Sequence, residues 1–344
     1  MGRVVLVTGV CRDLGGRFAQ RIVGDPGVDR VVGVDVVPPR HDLGDVRFVR
    51  ADIRHSTIAD VIASDDVDTV VHLSVIATPG GAGGRPSMKE TNVVATMQLL
   101  AACQQSPGVE RLVVKSSTAV YGSSPEDPAM FSEDMAPRRL PRSGFAKDSV
   151  EVEGYVRTFA RRRPDVTVTM LRCADVLGPE IQTAFTRYFR LPLIPTVLGF
   201  DPRLQFCHES DALAALQHCV LNDIPGTFNV AGDGVLMLSQ AVRRLGRPSV
   251  AVPAVAFGAI GSIFPDARQA DLSAEQAAFL AHGRGVDTTA MREVLGFEPA
   301  FTTPRALDDF ATTLRPGMLN AERLTRLERQ ASSWLIKMAP GGGR

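Results

Sequence analysis

Short, wholly apolar runs separated by helical segments constrain this chain more than any other feature. Arg3 to Val7 is a β-branched run, followed by a glycine-containing turn and a helical stretch from about Gly15 to Val23. The same rhythm recurs at Val31–Val36, Val46–Val49, Thr69–Leu73, Leu112–Lys115 and Val166–Leu171, with helical patterns at Ser87–Gln105 and Ala146–Arg162. A strand that is apolar at every position must be covered on both faces, and strand–helix alternation supplies that cover as βαβ units around a parallel sheet. Residues 1–176 therefore read as one doubly wound α/β domain. After Gly178-Pro179 the rhythm breaks, and prolines 192, 195, 202, 225, 248 and 253 punctuate shorter elements. Residues 177–320 read as a smaller α+β substrate domain, with pieces near 204–232 returning to the main sheet. Residues 321–344 read as a C-terminal helix and tail, since Leu324, Leu327, Ala331, Leu335 and Met338 fall at helical spacing.

Composition removes whole classes. The 344 residues carry 38 basic and 38 acidic side chains, so no bulk positive field exists for nucleic acid. No apolar run approaches the roughly 18 residues of a membrane span. The strand-like run begins at once after Met1-Gly2, so no cleaved leader is expected and the expected location is cytoplasmic. Cys11, Cys103, Cys173, Cys207 and Cys219 form no CxxC pair and read as reduced, buried thiols, with no metal site expected. Only four of the 38 basic residues are lysine: Lys89, Lys115, Lys147 and Lys337.

The first turn reads Thr8-Gly9-Val10-Cys11-Arg12-Asp13-Leu14-Gly15-Gly16, with a strand leading in and a helix leading out. That is the context of a Rossmann-type dinucleotide fingerprint: Gly9 permits the turn, Gly15 lets the helix pack closely, and the free N–H groups of the helix N-terminus face a pyrophosphate. The usual middle glycine is absent and Arg12 stands there, either turned outward or laid on a phosphate. Asp35 ends the next strand, about 20 residues on, where a carboxylate takes the adenosine ribose hydroxyls of NAD and disfavours the extra phosphate of NADP. Asp52 and Ile53 suit the adenine edge. Leu73 and Ser74, after His72, leave room for a cofactor over a strand end; His72 itself reads as a hydrogen-bonded structural histidine.

At this point the chain resembles the extended short-chain dehydrogenase/reductases, the NAD-dependent epimerase/dehydratase family. The resemblance runs over about residues 3–310. It rests on Thr8-Gly9…Gly15, Asp35, Asp52-Ile53, His72-Leu73-Ser74, Asn92 with Thr96, Ser116-Ser117-Thr118-Ala119-Val120-Tyr121-Gly122, Leu171-Arg172 with Gly178-Pro179, Phe206-Cys207-His208 with Asp211, Phe228–Gly232, and Leu295–Pro299. UDP-glucose 4-epimerase-like proteins are the nearest branch. The resemblance implies NAD as cofactor, held by Gly9, Arg12, Asp13, Leu14, Gly15, Asp35, Asp52, Ile53, Leu73, Ser74, Asn92 and Ser116. It further implies a nucleotide-sugar or similar hydroxyl/keto substrate, a UDP-sugar among them, and a homodimer paired through Ser87–Gln105 and Ala146–Arg162.

It also implies a Ser/Thr, a Tyr and a Lys. Ser117, four residues before Tyr121, matches the hydroxyl position. Tyr and Lys should stand four apart on the following helix, but Phe145 and Ser149 hold those places. Phe has no proton to exchange, and Ser has no charge to lower a phenol pKa. Lys147 lies two residues from Phe145, roughly 200° around a helix, and faces away. Tyr121 and His208 remain as substitute acids. Three readings stand, the first two being an NAD-dependent oxidoreductase or epimerase with altered catalytic residues and a catalytically silent NAD(H)-binding protein. A third is a reductase of a non-sugar substrate with a substitute proton donor.

Overall fold

The computed structural model describes residues 2–39, 41–75, 88–141, 144–259 and 273–314. The C-terminal helix and tail expected over residues 321–344, the Gly80–Gly84 run that reads from sequence as a loop on the substrate side, and Arg40, a cation near Asp35 in sequence, lie outside them.

The first half alternates as its hydrophobic rhythm requires. It runs β1 (Arg3–Thr8), α1 (Asp13–Ile22), β2 (Val28–Asp35), β3 (Arg47–Arg50), α2 (Thr57–Ser64), β4 (Thr69–His72), α3 (Ala95–Gln105, entered through a π-helical turn at Glu90–Val94), β5 (Arg111–Ser117), α4 (Gly144–Arg162) and β6 (Thr167–Cys173). The second half adds β7 (Asp175–Leu177), α5 (Ala184–Phe189), β8 (Ile194–Val197), β9 (Arg203–Leu204), β10 (Phe206–His208), α6 (Glu209–Leu221), β11 (Gly226–Val230), β12 (Leu236–Met237), α7 (Leu238–Arg244), β13 (Ser249–Val252), α8 (Ala274–His282), α9 (Thr289–Glu293) and α10 (Thr303–Ala311).

Seven strands form the central sheet in the order β11-β6-β5-β4-β1-β2-β3, parallel at every pairing. Alternate side chains feed two cores. Leu112 and Val114 of β5 face Leu99 and Cys103 of α3 and Val152, Val156 and Phe159 of α4. Val113 of β5 with Leu171 and Cys173 of β6 face Phe18 and Ile22 of α1 and Leu216 and Cys219 of α6. Of the two pieces expected to return to this sheet, Thr227–Val230 lies in β11 and pairs with β6. Leu204–Cys207 does not join it: β9 pairs with β12 and β10 with β7, in two-stranded ribbons beyond the sheet's carboxyl edge.

The second half has its own core of Phe185, Tyr188, Phe189, Phe206, Phe279 and Phe310. Phe185 meets Phe206 and Phe279 edge-on at 5.6 and 5.5 Å. Each such buried ring contributes about 1.5–3 kcal/mol from area alone. Thr183 starts α5 with a reciprocal capping box to Thr186.

The chain leaves β1 toward β2 and β3 on one side and returns to β4, β5 and β6 on the other. The strand order therefore reverses between β1 and β4, which opens a crevice beyond the carboxyl ends of the strands. Thr8, Asp35, His72, Ser117 and Cys173 stand at that edge.

Candidate functional site

A cavity of ≈ 660 Å³ occupies this edge. Its walls include Arg12, Asp13, Leu14 and Gly15 from the first turn, Leu73 after β4, Lys115, Ser116 and Ser117 of β5, Phe145 and Ser149 of α4, and Cys173–Val176 at the end of β6. A second cavity of ≈ 310 Å³ lies between Ala119–Ala146 of the first half and residues of the second half such as Phe185, Phe279 and Arg284, with Phe145, Asp175 and Ala184 common to both.

The glycine turn is built tightly. Gly9 adopts φ +80°, a conformation that side chains resist. A Cβ on Gly15 would lie 2.2 Å from the Gly9 carbonyl oxygen, so only glycine lets α1 approach β1 this closely. Arg12 enters α1 in extended conformation, and no side chain caps the helix. Its first N–H groups are left for an acceptor in the cavity. Asp35 is tied to the same turn: one carboxylate oxygen accepts from the Cys11 N–H at 3.1 Å, the other from the Val36 N–H at 2.8 Å. Burial, with the Asp35 charge behind it, pushes the Cys11 thiol up to about 12. Burial weakens the Arg12 guanidinium's hold on its proton, and the Asp35 carboxylate opposes that shift.

His72 sits beneath this turn as a wired structural group. Thr96 donates to the Asn92 carbonyl at 2.5 Å, so its oxygen accepts from His72 Nε2–H at 2.9 Å. Thr8 accepts from the Leu73 N–H at 3.1 Å and gives its own hydrogen to His72 Nδ1 at 2.9 Å. With the ring neutral, both nitrogens and both hydroxyl hydrogens are satisfied. Burial, helped by the nearby Arg12 charge, lowers the imidazole to about 4.

The other expected cofactor positions are distributed as follows. Leu73 and Ser116 line the cavity. Ser74 is buried against Gly9. Asp52 follows β3 with its carboxylate held by Arg54 at 2.7–3.0 Å, a contact that lowers its pKa, and Ile53 is buried beside it. Asn92 is fully buried and donates to Asp148 at 3.2 Å.

Ser117 caps the short 3-10 turn Thr118–Tyr121: its Oγ accepts from the Ala119 N–H at 3.1 Å while lining the cavity. On α4, Phe145 and Ser149 also line the cavity, and the Ser149 hydroxyl donates back to the Phe145 carbonyl at 2.9 Å. Lys147 points away, 3.8 Å from Glu151 at the surface.

The two substitutes offered by the sequence for proton transfer are not on either cavity's wall. Tyr121 is buried and stacked on Phe131 at 4.5 Å. Its hydroxyl donates to Asn229 at 2.8 Å and accepts from Arg172 at 2.7 Å. Arg172 in turn grips Glu153 of α4 with two bonds at 2.8 and 3.0 Å, and Ser116 donates to the same carboxylate at 2.7 Å. This network welds α4 to β5 and β6, and burial pushes the Tyr121 phenol upward. His208 caps α6: its Nδ1 accepts from the Ser210 N–H at 3.2 Å, its Nε2 meets Asp309 at 3.0 Å, and its ring stacks on Phe301 at 3.7 Å.

Lys115 and Asp175 are among the cavity residues that carry no motif and escape a reading by pattern. The one available signal was a lysine inside an otherwise apolar, doubly covered strand, where a charge is costly unless it opens onto a cavity.

Comparison with known proteins agrees with this architecture. The chain is 49% identical over 312 residues, 90% of its length and 83% of the other's, to Uncharacterized protein Rv0501 of Mycobacterium tuberculosis. It is 27% identical over 157 residues, 44% of its length and 50% of the other's, to D-erythronate dehydrogenase of Haemophilus influenzae. Among solved structures it superposes on MoeE5, determined with UDP-glucuronic acid and NAD, with a TM-score of 0.69 at 24% identity, covering 95% of this chain and 100% of that one. It superposes on UDP-glucuronic acid 4-epimerase from Bacillus cereus, determined with NAD, with a TM-score of 0.68 at 18% identity, covering 90% and 98%. At those identities the likeness establishes the fold. The model of the NAD dependent epimerase/dehydratase family matches residues 5–231, and this chain is a member of that family.

Proposed function

We propose that this chain is an NAD-dependent oxidoreductase or epimerase acting on a UDP-sugar or a similar hydroxyl/keto substrate, with Phe145 and Ser149 in place of the usual Tyr and Lys. The observation that carries the cofactor reading is the glycine turn: Gly15 fills a place where a Cβ would strike backbone 2.2 Å away, and Asp35 is bonded to that same turn. Gly9 and Gly15 would let a pyrophosphate close on the α1 N-terminus, where Arg12 adds a positive charge. Asp35 would accept from ribose hydroxyls, and its negative charge opposes a ribose phosphate. Bound there, the nicotinamide supplies a hydride acceptor and donor. Ser117 would hold a substrate oxygen, since its hydroxyl hydrogen is not used in its bond from Ala119. Phe145 excludes water from the cavity wall without exchanging a proton. A homodimer and a cytoplasmic location belong to the same proposal; among the described residues no helix is long and apolar enough to cross a membrane.

The catalytically silent reading is favoured by one observation: the Ser149 hydroxyl is turned back onto the Phe145 carbonyl, so neither replaced position presents a titratable group to the cavity. Calorimetric titration of NAD, followed by turnover of UDP-galactose and UDP-glucose by the parent and by a Phe145→Tyr/Ser149→Lys variant, separates the readings. Turnover by the parent supports the enzyme. An inactive parent that binds NAD, beside an active variant, supports the silent protein. No NAD binding rejects both.

A further inference from the structure

The replaced pair leaves the cavity without a titratable group on α4, and its lining also holds two charged residues, Lys115 and Asp175, that no hydrogen-bond network consumes. Lys115 and Ser117 lie two apart on β5 and so point to one face. Ser117 pairs in register with Cys173 of β6, and Asp175 follows Cys173 by two residues, about 7 Å further along the strand direction. Lys115 and Asp175 are both half-buried cavity residues, and among the described residues neither makes a hydrogen bond or ion pair with any side chain. That contrasts with Glu153 and Asp52, whose carboxylates are held by Arg172 and Arg54. Asp175, like Phe145, lines both cavities, and Phe145 holds the place where the family resemblance expects the catalytic phenol.

We propose that Asp175 is the proton acceptor and donor of this site, with Lys115 as the positioning charge that keeps its carboxylate available. This rests on the reading of the cavity as a hydride-transfer site. In the oxidative direction the substrate O–H proton passes to the Asp175 carboxylate, giving the carboxylic acid. The C–H bond breaks with its electron pair, which leaves as hydride to an oxidised nicotinamide dinucleotide, and the C–O bond becomes a carbonyl. In the reductive direction the carboxylic acid returns the proton as hydride returns to carbon. Two cations act on Asp175: Arg284, which also donates to the Gly122 carbonyl at 2.7 Å, and Lys115. Glu275 and Asp127 act on Arg284 in turn, and Glu180 and Arg187 stand on the rim of the larger cavity. Burial raises the Asp175 carboxyl above its ordinary value against the pull of both cations, which moves it toward the neutral range where a general acid–base group is most effective.

The test is a carboxyl-carbon NMR titration of aspartate-labelled protein, using Asp175→Asn to assign the resonance, beside calorimetric NAD titration of every variant. Asp175 is expected to titrate above the ordinary aspartate value, and higher still in Lys115→Met. With UDP-galactose as the probe, Asp175→Asn is expected to lose about 10²–10⁴-fold in kcat while binding NAD as the parent does. Asp175→Glu retains part of that rate, and the acidic limb of the pH profile moves up in Lys115→Met. A variant series that binds NAD, in which Asp175 titrates at its ordinary value and ignores Lys115, overturns the proposal; so does an Asp175→Asn protein with parental turnover. Where UDP-galactose is not turned over, a titration of Asp175 at its ordinary value still overturns the proposal. Loss of NAD binding in the parent instead strikes the reading of the cavity itself.

Discussion

Acid should weaken the fold from beneath the glycine turn, through His72. Its ring is fully buried between Thr8 and Thr96, and its pKa falls from 6.5 to about 4. Between those values the unfolded chain takes up a proton that the folded chain refuses, so stability is complete above pH 6.5 and is lost as pH falls toward 4. A shift of this size corresponds to about 3 kcal/mol in full, of which about 2 kcal/mol is gone by pH 5, at 1.36 kcal/mol per unit. The assay is urea unfolding from pH 7.5 to 5.0, on the parent and on His72→Gln. Glutamine keeps one donor and one acceptor but does not titrate, so carboxylates elsewhere contribute equally to both proteins. The parent should lose about 2 kcal/mol more than His72→Gln over that range. Equal losses would show that His72 is protonated in the fold, and the neutral two-threonine wiring would be refuted.

Other substitutions test the same frame. Gly15→Ala drives a Cβ onto the Gly9 carbonyl 2.2 Å away, and should cost about 2–4 kcal/mol in unfolding free energy, measured by denaturant titration. Arg172→Met leaves the buried Glu153 carboxylate to Arg157 and Ser116 alone and should cost about 2–3 kcal/mol, with part regained when Glu153→Gln is added; a double-mutant cycle in urea reads both. Thr183→Ala removes the capping box of α5 and should lower stability by about 1 kcal/mol in the same assay.

The parts that a linear pattern displays were legible in the sequence. Apolar runs at Val31–Val36 and Leu112–Lys115 announce strands covered on both faces, and Gly9, Gly15 and Asp35 announce the turn because each answers a local backbone or charge requirement. The misplacement of Lys147 followed from helical geometry alone, and the side chain does pair with Glu151 at the surface. What stayed hidden was long-range. Nothing local to Tyr121 shows that Arg172 and Asn229, 51 and 108 residues away, consume its hydroxyl. His208 resembles a site residue until Asp309 and Phe301, far along the chain, are folded against it. Leu204–Cys207 has the composition of a sheet strand, but pairing partners, not propensity, place it in separate ribbons. Lys115 and Asp175 belong to no motif, and only the folded cavity lining brings them together.

The central claim is that the carboxyl edge of the sheet takes NAD through the glycine turn and Asp35. Calorimetric titration of NAD and NADP into the parent and into Asp35→Ala tests it most directly. Saturable one-site binding of NAD, weaker binding of NADP, and a loss of that preference in Asp35→Ala are the predicted results. A parent that binds neither nucleotide, or binds both equally with Asp35 in place, would contradict the account.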